Sequence, residues 1–130
     1  MLRAISTRDT AAARRVLLPG AHLIGVPDPA NATRPAAVQS DTTFYRTLPQ
    51  GTVTYLERMW SPTVQLFGSV ALVAAQYDFH RDGKFSHCGV DTFTLVRSMG
   101  EWRISGVVYT TQRAGCRPGP YPSPSAGSAR

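Results

Sequence analysis

The chain has 130 residues, 42% hydrophobic and 17% charged, which suits one domain with a modest core. No apolar run approaches the ~20 residues of a membrane-crossing helix. The opening MLRAISTRDTAAARR has no apolar signal-peptide centre, so a cytoplasmic location without membrane contact is expected. The net charge of +6 comes from scattered arginines, with no run longer than Arg14-Arg15 and no nucleic-acid-binding motif beside them, so they read as a solvated surface and no nucleic-acid partner is expected.

In chain order, MLRAIS resembles the last turn of a helix whose beginning is absent. Residues 9–18 predict a helix, because Asp9 can cap it, Ala11 to Ala13 favour it and Pro19-Gly20 stops it. Residues 21–26, AHLIGV, predict a strand ended by Pro27, and the Pro/Ala-rich residues 27–40 a loop that could act as a flap. Ser40 or Asp41 can cap a short helix through Leu48, with Phe44 and Leu48 on one side. From Thr52 the pattern is all strand: TVTYLERMW, a break at Ser61-Pro62, TVQLF, then three long segments between Val70 and Arg113 joined by tight turns. Such short links join only antiparallel neighbours. Residues 1–113 therefore predict one α+β domain, a strongly bent antiparallel sheet with N-terminal helices on one face. The Pro/Gly/Ser-rich residues 114–130 predict a disordered tail. Cys88 lies in a strand segment and Cys116 in this tail, and both are expected as reduced thiols.

The strand KFSHCGVDTFTLV carries the polar groups that need an explanation. Side chains alternate, so Phe85, His87, Gly89, Asp91, Phe93 and Leu95 share one face. An imidazole and a carboxylate among large apolar residues, with a glycine leaving space, match a ligand pocket lining. Ser86, Cys88, Val90, Thr92, Thr94 and Val96 take the other face, suited to a second layer or a subunit contact. Cys88 thus points away from His87, which argues against a Cys–His nucleophile. His87 and Asp91 lie about 13 Å apart along an extended strand, too far for a direct dyad. A two-residue turn at Asp82-Gly83 sets Asp78 opposite His87; a three-residue turn sets Tyr77 there. Tyr109 is a candidate donor to a ligand oxygen, and Glu57 shares a strand face with Tyr55 and Met59. The bland alternatives are a hydrogen-bonded structural histidine, a capping carboxylate and ordinary sheet tyrosines. The three histidines show no metal-ligand spacing, so no metal is expected.

The opening ISTRDTAAARRVLLPGAHLIGV, the segment YDFxxDGKFSHCGVDTFTLVR and the closing GEWRI resemble the nuclear-transport-factor-2-like superfamily, also called SnoaL-like or ketosteroid-isomerase-like. The resemblance implies a cone-shaped sheet closed over a pocket by helices, commonly a homodimer through the sheet. It turns the faces bearing His87, Asp91 and Phe93 and bearing Val107, Tyr109 and Thr111 inward. It implies a small, mostly apolar ligand and, for an enzyme, cofactor-free isomerase, dehydratase or cyclase chemistry. The expected catalytic residues are His87, Asp91 and Tyr109, with Glu57, Tyr77, Asp78, Phe93, Val107 and Thr111 binding the ligand. The acid positions of the steroid isomerases have no match here, so that activity is not carried over.

Overall fold

The computed structural model of the protein describes residues 1–28, 30 and 33–124. Its elements are α1 (Leu2–Thr7), α2 (Thr10–Val16), β1 (Leu17–Pro27), β2 (Ala37–Ser40), α3 (Asp41–Thr47), β3 (Tyr55–Phe67), β4 (Val70–Arg81), β5 (Lys84–Ser98) and β6 (Glu101–Thr111). The six strands form one sheet in the order β2-β1-β6-β5-β4-β3. This is the expected α+β architecture, with one refinement. β3 to β6 are antiparallel neighbours, whereas β1 runs parallel to β6, so the sheet is mixed.

Local chemistry accounts for the boundaries. The Asp9 carboxylate accepts from Ala12 N–H at 2.9 Å and starts α2, and Ser40 Oγ accepts from Thr43 N–H at 3.2 Å and starts α3. Asp41 instead accepts from the N–H groups of Gly20 and Thr42, both at 2.8 Å, and ties α3 to β1. The turns at Asp82-Gly83 and Met99-Gly100 have positive φ at both central residues, the handedness that matches strand twist in two-residue hairpins.

Three expectations shift. β1 begins at Leu17, ahead of Pro19-Gly20, because Leu17 already pairs with Ile104 on β6. Residues 37–40 of the expected flap form β2, paired with β1 from His22 to Gly25. Ser61-Pro62 does not end β3 but forms a bulge within it; β3 is an edge strand, where a residue lacking N–H is tolerated.

The helices lie over the inward side of the sheet. Ala4, Ala13, Phe44, Tyr45 and Leu48 pack against Leu17, Ala21, Leu23, Phe93, Ile104 and Val107. Among the described residues no helix is long and apolar enough to cross a membrane.

The cysteines require a correction: Cys88 and Cys116 form a disulfide, so neither is a free thiol. The expectation of a cytoplasmic chain thereby loses the support that reduced thiols gave it. The same bond anchors the start of the expected tail. Residues 114–124 are described and touch the sheet, while 125–130 of that tail lie outside the described residues. The bond joins positions 28 apart, and constraining a loop of that length in the unfolded chain is worth about 3–4 kcal/mol. Reduction with a dithiol is therefore expected to lower the urea unfolding midpoint by about 1–2 M, at a slope of roughly 2 kcal/mol per M. Equilibrium unfolding with and without reductant checks this.

Candidate functional site

The concave side of the sheet encloses a cavity of about 380 Å³, within the range of small-molecule pockets. Its side chains come from α1, β1, β2, α3 and the inward faces of β3 to β6, and Phe44, Tyr55, Tyr77, Phe79, Phe93 and Tyr109 give it an aromatic wall. The cross-strand pairs explain how these residues meet. Glu57, Phe79 and His87 stand side by side on β3, β4 and β5, and Met59, Tyr77 and Gly89 form the next inward row. Asp91 and Phe93 are paired with Tyr109 and Val107 on β6.

The hairpin register is neither alternative offered by the sequence. Arg81 pairs with Lys84 and His80 with Phe85 across a two-residue turn; then β5 carries one extra residue and Phe79 pairs with His87. Ser86 is the extra residue. It moves Asp78 opposite Cys88, on the outer face, and this corrects the expectation that Asp78 reaches the ligand. There Asp78 receives Arg58 Nε at 2.9 Å and Nη2 at 2.6 Å, a two-pronged pair. Thr111 also lies outside the cavity, its hydroxyl 3.4 Å from the Val26 carbonyl. Of the sequence candidates, His87, Asp91, Tyr109, Glu57, Tyr77, Phe93 and Val107 line the cavity together.

The carboxyl groups dominate the electrostatics. Asp91 is 2% exposed, and its Oδ2 has no hydrogen-bond partner among the described residues. Glu57 lies within hydrogen-bond reach of Asp91 across β4, where the residue beside Asp91 is only Ala75. Burial, then the Asp91 charge, pushes the Glu57 carboxyl well above its usual range. Burial also pushes Asp91 up, to about 6. Two such groups titrate as one unit, and the pair holds a proton to higher pH than either carboxyl would in water.

The other polar groups are arranged around this pair. The Tyr77 hydroxyl donates to the Thr110 carbonyl at 2.6 Å and so props β6 against β4. Gly89 permits that approach, because a Cβ there would lie 2.1 Å from the Thr110 oxygen. Burial raises the Tyr109 phenol above its ordinary value, and the nearby Glu57 and Asp91 add to the effect, so it is a protonated donor. Gly25 makes room for it: a Cβ would stand 2.9 Å from the Tyr109 hydroxyl. His87 stacks on Phe79 at 4.8 Å with its Nδ1 3.0 Å from Ser86 Oγ. Burial, with Arg113 and Arg81 nearby, lowers its affinity for a proton, leaving a neutral imidazole.

Arg8 is a cavity residue that no pattern along the chain marks. Its guanidinium donates to the carbonyls of Leu48, Gln50 and Val53 and lies 4.4 Å over the Tyr55 ring. It closes the gap between the end of α3 and the start of β3. Phe79 was hidden by the Ser86 bulge, which no residue pattern announces.

No protein-family model and no curated protein sequence matches the chain. Solved structures do. A nuclear-transport-factor-2-like protein from Cytophaga hutchinsonii superposes with a TM-score of 0.70 at 11% identity, covering 85% of this chain and 88% of that one. A superfamily member from Salmonella enterica gives 0.67 at 16% identity, over 88% and 85%. A protein of unknown function with a cystatin-like fold from Nostoc punctiforme gives 0.67 at 7% identity, over 87% and 84%. The chain therefore has the nuclear-transport-factor-2-like fold, the cone that the sequence resemblance implied.

The raised carboxyl groups set a pH dependence. A carboxyl whose folded pKa exceeds its unfolded value favours the fold at low pH, below about 4, and loses that contribution as pH rises through its folded value, about 6 for Asp91. Asp91→Asn is therefore expected to be more stable than the parent at pH 8 by on the order of 2–3 kcal/mol, and equal to it near pH 4. Thermal unfolding of both proteins across this range measures the difference.

Proposed function

We propose that the cone binds a small, mostly apolar molecule bearing a carbonyl or hydroxyl oxygen, and that the Glu57–Asp91 pair gives or takes a proton there. The observation that carries this reading is a carboxyl pair, Asp91 buried and Glu57 half-buried, in a cavity lined mainly by apolar and aromatic side chains. Burying such groups costs several kcal/mol, and a proton or a polar ligand group offsets that cost. Tyr109 donates to the ligand oxygen. The pair, with one proton near neutrality, serves as acid to one ligand atom and base to another, the condition for isomerisation, dehydration or cyclisation without a cofactor. His87, a neutral imidazole on the same wall, is a second base for a proton at the far end of the ligand.

The test is mass spectrometry of small molecules that co-purify with the protein, followed by affinity and turnover measurements on the compound found. Tyr109→Phe is expected to weaken binding up to about tenfold, the value of one buried hydrogen bond. Asp91→Asn and His87→Ala are expected to lower turnover by at least about a hundredfold. Binding and turnover unchanged in all three variants would defeat the reading.

A second expectation concerns assembly. Phe67, Val70, Leu72 and Val108 lie on the outer face of β3, β4 and β6 and are each 39–61% exposed. Contiguous exposed apolar side chains on a sheet face mark an interaction surface, and a second copy of this chain, pairing face to face, is the partner we propose. Sedimentation equilibrium is expected to show a dimer at micromolar concentration and a monomer for Leu72→Lys.

A further inference from the structure

The segment after β6 crosses the outer face of the sheet directly behind the cavity. Cys116 is bonded to Cys88 on β5. Gly119 lies flat on the Trp60 indole, where a Cβ would come within 2.9 Å of the ring, and the Tyr121 ring meets the same indole edge-on at 6.3 Å. The Tyr121 hydroxyl donates to the Met59 carbonyl on the edge strand β3. Arg58 Nη1 donates to the Pro122 carbonyl at 2.7 Å, and its guanidinium lies 5.1 Å from the Tyr121 ring centre.

These contacts fall on one row. Cys88 pairs with Asp78 and Asp78 with Arg58, so the three side chains stand abreast across β5, β4 and β3 on the outer face. The segment grips both ends of that row, by a covalent bond at Cys88 and by the clasp of Tyr121 and Pro122 at Arg58. The Arg58–Asp78 ion pair closes its middle. The inward rows on either side are His87–Phe79–Glu57, all three lining the cavity, and Gly89–Tyr77–Met59, of which Tyr77 lines it. Neighbouring residues on a strand face opposite ways, so a clamp on Arg58 and Cys88 positions Glu57 and His87 without touching them.

We propose that residues 113–122 act as an external strap that holds β3 at the distance from β5 where the Glu57 carboxyl meets Asp91. This rests on the reading of Glu57–Asp91 as the working pair, and it makes Cys116, Gly119 and Tyr121 positioning residues of the site. β3 is an edge strand, hydrogen-bonded only to β4 within the sheet, and so more free to swing outward than the strands paired on both sides. Without the strap, Glu57 moves off Asp91 and water reaches both carboxyl groups. Reduction of the disulfide is the experimental handle: an added dithiol closes to its own disulfide and delivers two electrons and two protons to the sulfurs of Cys88 and Cys116.

The Glu57 titration reads the strap directly, and no ligand is needed. The chain has two glutamates, Glu57 and Glu101, and Glu101 is largely exposed. Carboxyl-13C labelling of glutamate therefore gives one reporter and one internal reference. Glu57 is faced by Asp91 from β5, by the Met1 amino group ahead of α1 and, more remotely, by Asp78 behind it, with the phenols of Tyr77 and Tyr109 alongside. None of these groups is altered by the variants. In the parent protein Glu57 is expected to titrate well above the ordinary glutamate range. In Cys116→Ser, or after reduction, its midpoint is expected to fall toward that range by a unit or more while far-UV circular dichroism is retained. An unchanged Glu57 midpoint in the folded variant overturns the proposal. Should Cys116→Ser fail to fold, Tyr121→Ala keeps the disulfide and removes the clasp; a smaller fall in the same direction is expected, and no fall overturns it. Failure to find any ligand would sink the proposed function and leave this titration untouched.

Discussion

The electrostatics of this cavity depend on two carboxyl groups held against each other, Asp91 buried and Glu57 half-buried. Glu57 and Asp91 sit on strands separated by β4, and only the curl of the sheet makes them neighbours. In water they would repel weakly and ionise fully. Between aromatic rings, with Asp91 2% exposed, the second negative charge is opposed and a proton stays with the pair. The fold accepts that cost inside the cavity that both groups line.

The supports of this pair are distributed over both faces of the sheet. Inside, Gly25 and Gly89 are small where Tyr109 and the Thr110 carbonyl must approach, and Tyr77 braces β6 from β4. At the open end, Arg8 gathers the carbonyls that α3 and the following loop leave unsatisfied. Outside, the Arg58–Asp78 pair and the Cys88–Cys116 bond reinforce the same three strands. Polar groups are thus spent on geometry, while apolar surface from α1, α2 and α3 closes the core beside the cavity.

Alternation along single strands was legible in the residues. It grouped His87, Asp91 and Phe93 on one face, Val107 and Tyr109 on another, and Glu57 with Tyr55 and Met59, and the resemblance implied that the first two faces turn inward. Those statements need only the two-residue period, which every extended strand obeys. Asp78 and Phe79 were not legible, because Ser86 adds one residue to β5 and a single insertion exchanges the faces that meet across a hairpin. Cys116 was misread for a related reason. A Pro/Gly-rich tail has no pattern of its own, and its order comes from an indole, an arginine and a thiol located 28 to 64 positions away.

By itself the chain of residues determined the α+β class, the hairpins, two of the three helix starts and which residues share a face along β5 from His87 onward, because these follow from local conformational preferences and side-chain periodicity. The tertiary structure alone decided that β1 lies parallel to β6, that Glu57 meets Asp91, that Asp78 turns outward to Arg58, and that the two cysteines join. Each of these depends on sheet curvature or on one bulge, and both are set by the packing of the whole domain.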